Sequence, residues 1–217
     1  MKKLLIANWK QNKNIAETTS FLSGVNFVAK EYDVVIAPSF PYLSLVKELL
    51  PKQAFLGAQD VSSFPHGTYT GAVGAFQLAD FGVNYVIVGH SERRKYFNET
   101  AQEINNKVRE LESQSLIPIV CFSQIDELRK LEINTNNYYL AFEPVDAIGT
   151  GTSYENNEIE DTFKKAKELF PESNLIYGGS VNNENIDRLK EIDNIMGFLV
   201  GTASLNIDKF NKLIEVL

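Results

Sequence analysis

The sequence has few of the features that mark a disulfide-bonded, membrane-spanning or nucleic-acid-binding protein. A single cysteine, Cys121, among 217 residues excludes an intrachain disulfide and fits a reducing compartment. No apolar run approaches the roughly 20 residues of a membrane helix, and the N-terminal one stops before Asn8. The net charge of −7 argues against a general binder of nucleic acids or anionic membranes. We therefore expect a cytoplasmic protein, which can still bind a phosphorylated metabolite where basic groups converge.

What the sequence does contain is a regular alternation of short apolar runs and helical patterns. Several runs are almost wholly apolar, which is typical of parallel strands covered on both faces. The helical patterns cover residues 15–31, 91–114, 155–170, 182–192 and 204–217. The eight apolar runs are LLIAN (4–8), DVVIAP (33–38), AFLGAQ (54–59), YVIVGH (85–90), IPIVCF (117–122), YYLAFE (138–143), NLIYGG (174–179) and GFLVG (197–201).

Alternating strands and helices of this kind form either an open doubly wound sheet or a closed (β/α)8 barrel. Eight units of roughly 27 residues fill the chain without remainder, which favours the barrel. We predict an α/β protein with one barrel domain over residues 1–217 and no linker. Active sites of barrels lie at the carboxyl ends of the strands. Polar and glycine residues recur at those ends: Asn8, Gln59, His90, Glu143, Gly178 and Gly201.

The stretch AFEPVDAIGTG (141–151) combines a carboxylate with a glycine-containing loop. Glu143 ends an apolar strand, and Pro144 biases it to an extended conformation, so the carboxylate is a candidate base. The alternative is an ordinary solvent-exposed glutamate. The Gly-Thr-Gly triplet at 149–151 offers backbone N–H groups to an anion and hinge positions for a lid. The alternative there is an ordinary turn.

Two histidines occur in the sequence, and His90 is the stronger candidate for chemistry. If a helix begins at Ser91, its positive end lies beside the imidazole and disfavours the imidazolium. A neutral His90 could donate a hydrogen bond and shuttle protons; the alternative is a structural histidine. His66 lies in a long polar loop and is interpreted as structural or exposed.

A third candidate group surrounds Trp9 at the end of the first strand. Since side chains alternate along a strand, Asn8 and Lys10 point the same way and Trp9 the other. Lys10 would then be a fixed cation in the barrel mouth, with Glu92 as a plausible partner. The alternative is a solvated surface lysine.

The last two strands are each followed by small residues. The loops after strands 7 and 8 form the usual phosphate site of barrels. Without bulky side chains, such loops present their backbone N–H groups to an anion. Phosphate binding is therefore predicted at Gly178, Gly179, Ser180, Gly201 and Thr202.

These motifs, in this order and spacing, resemble the triosephosphate isomerase family across essentially the whole chain. VGHSERR and YGGSV are the most specific of them. The matching segments are NWK (8–10), TGA within HGTYTGAVG (66–74), VGHSERR (88–94), EP with AIGTG (143–151), YGGSV (177–181) and GFLVGTASL (197–205).

The resemblance implies interconversion of dihydroxyacetone phosphate and glyceraldehyde 3-phosphate through an enediolate, with no cofactor and no metal. It assigns Glu143 as the base and His90 as the neutral electrophile, a pairing for which this family is itself a standard example. Lys10 and Asn8 would hold the substrate and stabilise negative charge. Residues 144–151 would close as a lid. The phosphate-binding positions would be Gly149, Ser180, Gly201 and Thr202.

The resemblance also implies a homodimer through loop 64–74, with Thr70 reaching the partner's active site. Three departures from the family pattern stand out. Asp146 occupies a lid position that is commonly tryptophan, Thr202 replaces a glycine, and the connection between strands 5 and 6 is shortened. Two alternatives follow: an impaired barrel retained as a phosphometabolite-binding or scaffold protein, or an isomerase of another phosphosugar. The intact catalytic set argues against the first, and VGHSERR against the second.

Overall fold

The computed structural model describes residues 2–144 and 153–217 and contains a closed barrel of eight parallel strands. The last strand pairs with the first, Gly197 lying opposite Leu4, so the sheet has no open edge. This closure confirms the predicted barrel over the open sheet; the assignment of residues 1–217 to one domain stays a prediction. The strands are β1 (Lys3–Asn8), β2 (Tyr32–Ala37), β3 (Ala54–Ala58), β4 (Tyr85–Val88), β5 (Ile117–Phe122), β6 (Tyr139–Phe142), β7 (Asn174–Tyr177) and β8 (Ile195–Val200).

Side chains along each strand alternate between the barrel interior and the surrounding helices. Ile6 and Val35 belong to the interior cluster, whereas Leu5 and Val34 pack with the helices. Both clusters are apolar and buried, which explains why the strand sequences are almost wholly hydrophobic. The buried alternation fixes the register of the strands, so their carboxyl ends meet at one rim.

The helices follow the strands as the sequence pattern predicts, but several bounds differ. None of the helices in the described part is both long and apolar enough to cross a membrane. They are α1 (Ile15–Gly24), α2 (Leu43–Leu49), α3 (Ala75–Asp80), α4 (Ser91–Phe97), α5 (Ala101–Ser113), α6 (Ile125–Leu128), α7 (Asn156–Leu169), α8 (Ile186–Leu189) and α9 (Ile207–Val216).

The helix predicted over residues 15–31 begins as expected and ends early. The Asn14 side chain accepts a hydrogen bond from the Glu17 N–H at 3.0 Å, and Glu17 reciprocates, which completes a capping box. Gly24 is a weak helix former, and Val25 is extended, with φ −79° and ψ 132°. Val28, which falls within the predicted helical range, therefore lies beyond the helix, and its side chain is 67% exposed.

The helical pattern predicted over residues 91–114 is in fact two helices. Asn98 ends α4 in a left-handed conformation, with φ 53°, a role that asparagine tolerates well. Thr100 then caps α5. Its side chain accepts a hydrogen bond from the Glu103 N–H, and the Glu103 side chain accepts one from the Thr100 N–H. The kink turns the chain so that α5 packs along β4 and β5.

The shortened connection between β5 and β6 is confirmed. Only the four residues of α6 are helical between Phe122 and Tyr139. Leu128 is fully buried and joins the hydrophobic core around the barrel. Two further helices are shorter than predicted: α8 is a single turn, and α9 begins at Ile207 after a 3₁₀ turn.

Candidate active site

A cavity of about 220 Å³ opens at the carboxyl ends of the strands. It brings together residues that follow five different strands, as expected for a barrel active site. Most of the predicted site residues line it. The lining includes Asn8, Lys10, His90, Glu143, Gly178, Gly179, Ser180, Gly201, Thr202 and Lys209.

Glu143 lies at the bottom of this cavity and is only 1% exposed. Its backbone N–H donates to the Phe122 carbonyl at 2.8 Å, which extends β6 by one residue and fixes the side chain's starting point. One carboxylate oxygen accepts from the Ser91 N–H at 2.9 Å. The other lies 3.0 Å from Nε2 of His90. A carboxylate held this way is desolvated and oriented, as a base requires.

The imidazole of His90 is oriented by its own helix. It is the residue before α4, and its Nδ1 accepts a hydrogen bond from the Glu92 N–H at 3.2 Å. A nitrogen that accepts from a backbone N–H carries no proton, so the ring proton is on Nε2. That Nε2–H points at Glu143. The imidazole can therefore donate a hydrogen bond into the cavity without being charged.

The turn before His90 is built around Gly89. Its φ of +69° favours glycine, and a Cβ there would lie 2.9 Å from Cδ1 of Ile104. The Arg94 side chain links this turn to β5. Its Nε donates to the Gly89 carbonyl at 2.8 Å, and its Nη2 donates to the Cys121 carbonyl at 2.9 Å. The turn therefore aims the imidazole from a rigid support.

The segment after β1 has the predicted alternation. Trp9 is buried at 1% exposure and packs edge-on against Phe21, with ring centroids 5.1 Å apart. Asn8 and Lys10 instead line the cavity. Nζ of Lys10 lies 2.5 Å from a carboxylate oxygen of Glu92, the partner predicted from the sequence.

Lys10 has a strained backbone that the sequence did not predict. Its φ is 52°, in the left-handed region that a non-glycine residue seldom adopts. Two polar side chains hold it there. The Lys10 N–H donates to Oδ1 of Asn8 at 3.2 Å, and Nε2 of Gln59 donates to the Lys10 carbonyl at 2.9 Å. Strain maintained by surrounding contacts is typical of functional sites.

The two small-residue loops after β7 and β8 face the same cavity. Gly178 approaches the carboxylate closely, because a Cβ there would lie 3.0 Å from Cγ of Glu143. Thr202 begins a 3₁₀ turn and is not among the residues with positive φ, so its Cβ introduces no backbone strain. The structure thus juxtaposes Ser180, Gly201 and Thr202 with the carboxylate and the imidazole.

Comparison with known proteins gives the family. The sequence model described as triosephosphate isomerase matches residues 3–217. The chain belongs to the triosephosphate isomerase family. A triosephosphate isomerase of Mesomycoplasma hyopneumoniae (strain 7448) is 37% identical over 240 residues, covering 99% of each chain. Those of Mycoplasma genitalium (36%; 98% of this chain and 97% of the relative) and Gloeobacter violaceus (35%; 99% and 98%) are also similar over nearly their whole length.

The remaining positions that the triosephosphate isomerase resemblance singles out lie either outside the described residues or in an exposed loop. Gly149 and Asp146 lie outside the described residues, as do most of the residues assigned to the lid (144–151). Thr70 is exposed at a loop tip, away from this chain's own cavity. His66 is exposed in the same loop and packs edge-on against Phe76, which fits its interpretation as a structural or exposed residue.

The thiol of Cys121 lies inside the barrel beside the candidate base. Burial and the neighbouring Glu143 carboxylate raise its pKa well above the ordinary value, although Arg94 opposes the shift. The thiol is therefore neutral and unreactive at physiological pH. It forms part of the apolar wall that desolvates Glu143.

Sequence reasoning assigned no role in this site to Cys121, Arg94 or Lys209, and it marked Gln59 only as a polar residue at a strand end. Cys121, Gln59 and Arg94 support the turns that carry the functional side chains, and Lys209 lines the cavity from α9. Cys121 also stands at a strand end, which is the one signal that could have drawn attention to it. Lys209 lies inside an amphipathic helix, where its pattern is that of any exposed lysine. No group of three or more His, Cys, Asp or Glu side chains in the described ranges is arranged to hold a metal ion.

Proposed function

We propose that this chain interconverts dihydroxyacetone phosphate and D-glyceraldehyde 3-phosphate, with Glu143 as the base and neutral His90 as the electrophile. One observation supports this above all others: a buried carboxylate and an imidazole Nε2–H meet 3.0 Å apart in a cavity lined by two small-residue loops. Moving a proton between neighbouring carbons requires a base on one side of the substrate and hydrogen-bond donors on the other. The family and its curated relatives support the same reaction.

The proposed reaction begins when the substrate replaces the contact between Glu143 and His90. The carbonyl oxygen of dihydroxyacetone phosphate accepts a hydrogen bond from Nε2–H of His90. The Glu143 carboxylate oxygen, which contacts this N–H in the absence of substrate, is then free to act as the base. Glu143 then removes a proton from the hydroxymethyl carbon, the electron pair of that C–H bond forms the carbon–carbon double bond of the enediolate, and the π pair of the carbonyl moves onto its oxygen. Return of the proton to the neighbouring carbon gives the aldehyde.

His90 and Lys10 stabilise the enediolate in this scheme. His90 moves protons between the two enediolate oxygens and keeps its Nδ1 as an acceptor for the Glu92 N–H. The Lys10 ammonium supplies positive charge, and Asn8 both lines the cavity and orients the Lys10 backbone. Donors placed in advance where negative charge develops are usually the largest single contribution to catalysis.

The phosphate of the substrate would bind at the two loops after β7 and β8. Ser180, Gly201 and Thr202 lie there, on the same cavity as Glu143. Backbone N–H groups in such loops bind phosphate well because small side chains let the anion approach. The phosphate is remote from the reacting carbons, and its binding positions those carbons next to the Glu143 carboxylate.

The proposal includes closure of residues 144–151 over the bound substrate, which would exclude water from the enediolate and suppress loss of phosphate. We expect hydrogen exchange in this segment to slow when glycerol 3-phosphate, an unreactive analogue that lacks the carbonyl group, saturates the protein. Exchange that is unchanged at saturation would count against closure. Residues 101–113 serve as an internal reference, since α5 lies away from the cavity.

A coupled assay that detects dihydroxyacetone phosphate tests the proposed function. We expect turnover of glyceraldehyde 3-phosphate without added metal and in the presence of a chelator. A folded protein that turns over neither triose phosphate would instead favour the impaired barrel retained for binding. Turnover of a longer phosphosugar in preference to the triose would favour the other isomerase.

We also propose a homodimer through loop 64–74. Phe64 and Tyr69 stack 4.5 Å apart yet are 49% and 41% exposed. Loop residues and Phe97 line a common cavity of about 260 Å³, and Phe97 itself is 67% exposed. Large aromatic side chains exposed together mark an interaction surface. Thr70 stands at the tip of this loop, where a partner's active site would receive it.

Sedimentation at several concentrations tests the dimer. We expect a dimer for the unaltered chain and a shift toward monomer for Phe97→Asp, because a charge at an apolar contact is costly to desolvate. Val28→Asp is a matched control, since Val28 is also 67% exposed but lies before β2 and does not line the cavity formed by the loop and Phe97. A monomer at all concentrations, or an equal shift in both variants, would contradict the proposal.

A further inference from the structure

The charges around the cavity leave the bound phosphate short of positive partners. The charged side chains that line it, within the described ranges, are Lys10, Lys209 and the base Glu143. Nζ of Lys10 is already 2.5 Å from Glu92. A triose phosphate carries up to two negative charges and must enter beside the Glu143 carboxylate. Lys209 is therefore the cation whose charge is not already offset by a neighbouring carboxylate.

Lys209 is placed at the cavity by the first turn of α9. Its backbone N–H donates to Oδ1 of Asn206 at 3.0 Å, so the helix begins in a fixed position. Phe210 and Leu213 are fully buried and set the rotation of the helix. The lysine side chain makes no hydrogen bond or ion pair to another described residue, yet it lines the cavity beside Thr202.

We propose that Lys209 binds the substrate phosphate and raises affinity for phosphorylated substrates. The inference rests on the proposed function and extends it to a residue outside the small-residue loops. Lys209 lines the cavity from the helix that follows the β8 loop, where the phosphate is proposed to bind, whereas the reacting carbons are proposed to lie at Glu143. It therefore stabilises the bound substrate and the transition state equally, and its removal raises KM more than it lowers kcat.

Replacement of Lys209 by glutamine tests this inference. We expect KM for glyceraldehyde 3-phosphate to rise about fivefold, the scale of a partly exposed ion pair, with kcat changed less than about twofold. Lys209→Arg restores affinity and Lys209→Glu weakens it further. Turnover of glyceraldehyde, which lacks the phosphate, is unchanged in all of these variants.

Lys212→Gln is the matched control. Lys212 is exposed on the same helix and its removal changes the net charge equally, but it does not line the cavity. We expect its KM to equal that of the unaltered chain. Equal effects of the two substitutions, or an equal loss with glyceraldehyde, would overturn the role of Lys209.

Binding of glycerol 3-phosphate by calorimetry separates this inference from the proposed function. The measurement requires no turnover, so a weaker Kd in Lys209→Gln than in Lys212→Gln supports the phosphate contact even if the chain proves inactive. Normal turnover by the unaltered chain, with an unchanged Kd in Lys209→Gln, refutes the inference and leaves the proposed function standing.

Discussion

Replacement of Glu143 by alanine lowers kcat for glyceraldehyde 3-phosphate by about 10³-fold or more, because the variant lacks the carboxylate that removes the substrate proton. Among the described residues Glu92 also lies close to the site, but its carboxylate is engaged with Lys10 and does not line the cavity. The loss falls on kcat more than on KM, since the phosphate-binding loops are untouched. The coupled assay measures it directly.

Two further variants separate the chemistry from folding. Alanine leaves the buried Ser91 N–H without its acceptor, which costs about 1–3 kcal/mol of stability. Glu143→Gln has the same shape and retains one oxygen for Ser91, so it should lose activity while keeping more of the stability. Glu168→Gln, on the exposed face of α7, removes the same charge without effect. Activity that survives Glu143→Ala would overturn the assignment of the base.

The barrel could be predicted because its physical causes are local in the sequence. Strands buried on both faces must be apolar along their length, and VVIA (34–37) and IPIVCF (117–122) display this without any knowledge of their neighbours. Residues at strand ends then gather at one rim by topology alone. His90 and Glu143 could therefore be placed at the same rim although they are 53 positions apart in the sequence.

Two features were not predicted, for different reasons. A helical period runs through residues 91–114, and it masks the break between two helices at the left-handed Asn98. Asn98, Thr100 and Glu103 together were a stop and a capping box that could have been recognised. The role of Arg94, by contrast, depends on carbonyls at Gly89 and Cys121 that only the folded chain brings within reach.

Lys10 has one feature that the sequence predicts and one that only the structure shows. The direction of its side chain follows from strand alternation, but its left-handed φ of 52° does not, because nothing in NWK requires it. The contacts from Asn8 and Gln59 hold the backbone in this conformation and bring the ammonium over the cavity, close to Gly201. The cost of that strain is of order 1–2 kcal/mol. If the positive φ of Lys10 serves catalysis, a variant in which this backbone strain is relieved should be more stable and less active.

Replacement of Lys10 by glutamine should lower kcat/KM for the triose phosphate by about 10²–10³-fold, the loss expected when one preorganised charge partner of the transition state is removed. The variant should still fold, because the Glu92 side chain is 40% exposed and water can solvate the carboxylate that is left behind. Lys52→Gln, an exposed lysine before β3, is the charge-matched control and should be fully active.

Comparison of Lys10→Gly with Lys10→Ala then isolates the backbone. Both lack the ammonium and should be equally inactive, but glycine adopts positive φ freely, so Lys10→Gly should be about 1 kcal/mol more stable in chemical denaturation than Lys10→Ala. Equal stabilities would mean that residue 10 relaxes out of the left-handed region once its ammonium is gone, so that the Lys10–Glu92 contact, and not Asn8 and Gln59, maintains the strain. Activity retained by either variant would refute the role of the Lys10 ammonium in stabilising the transition state.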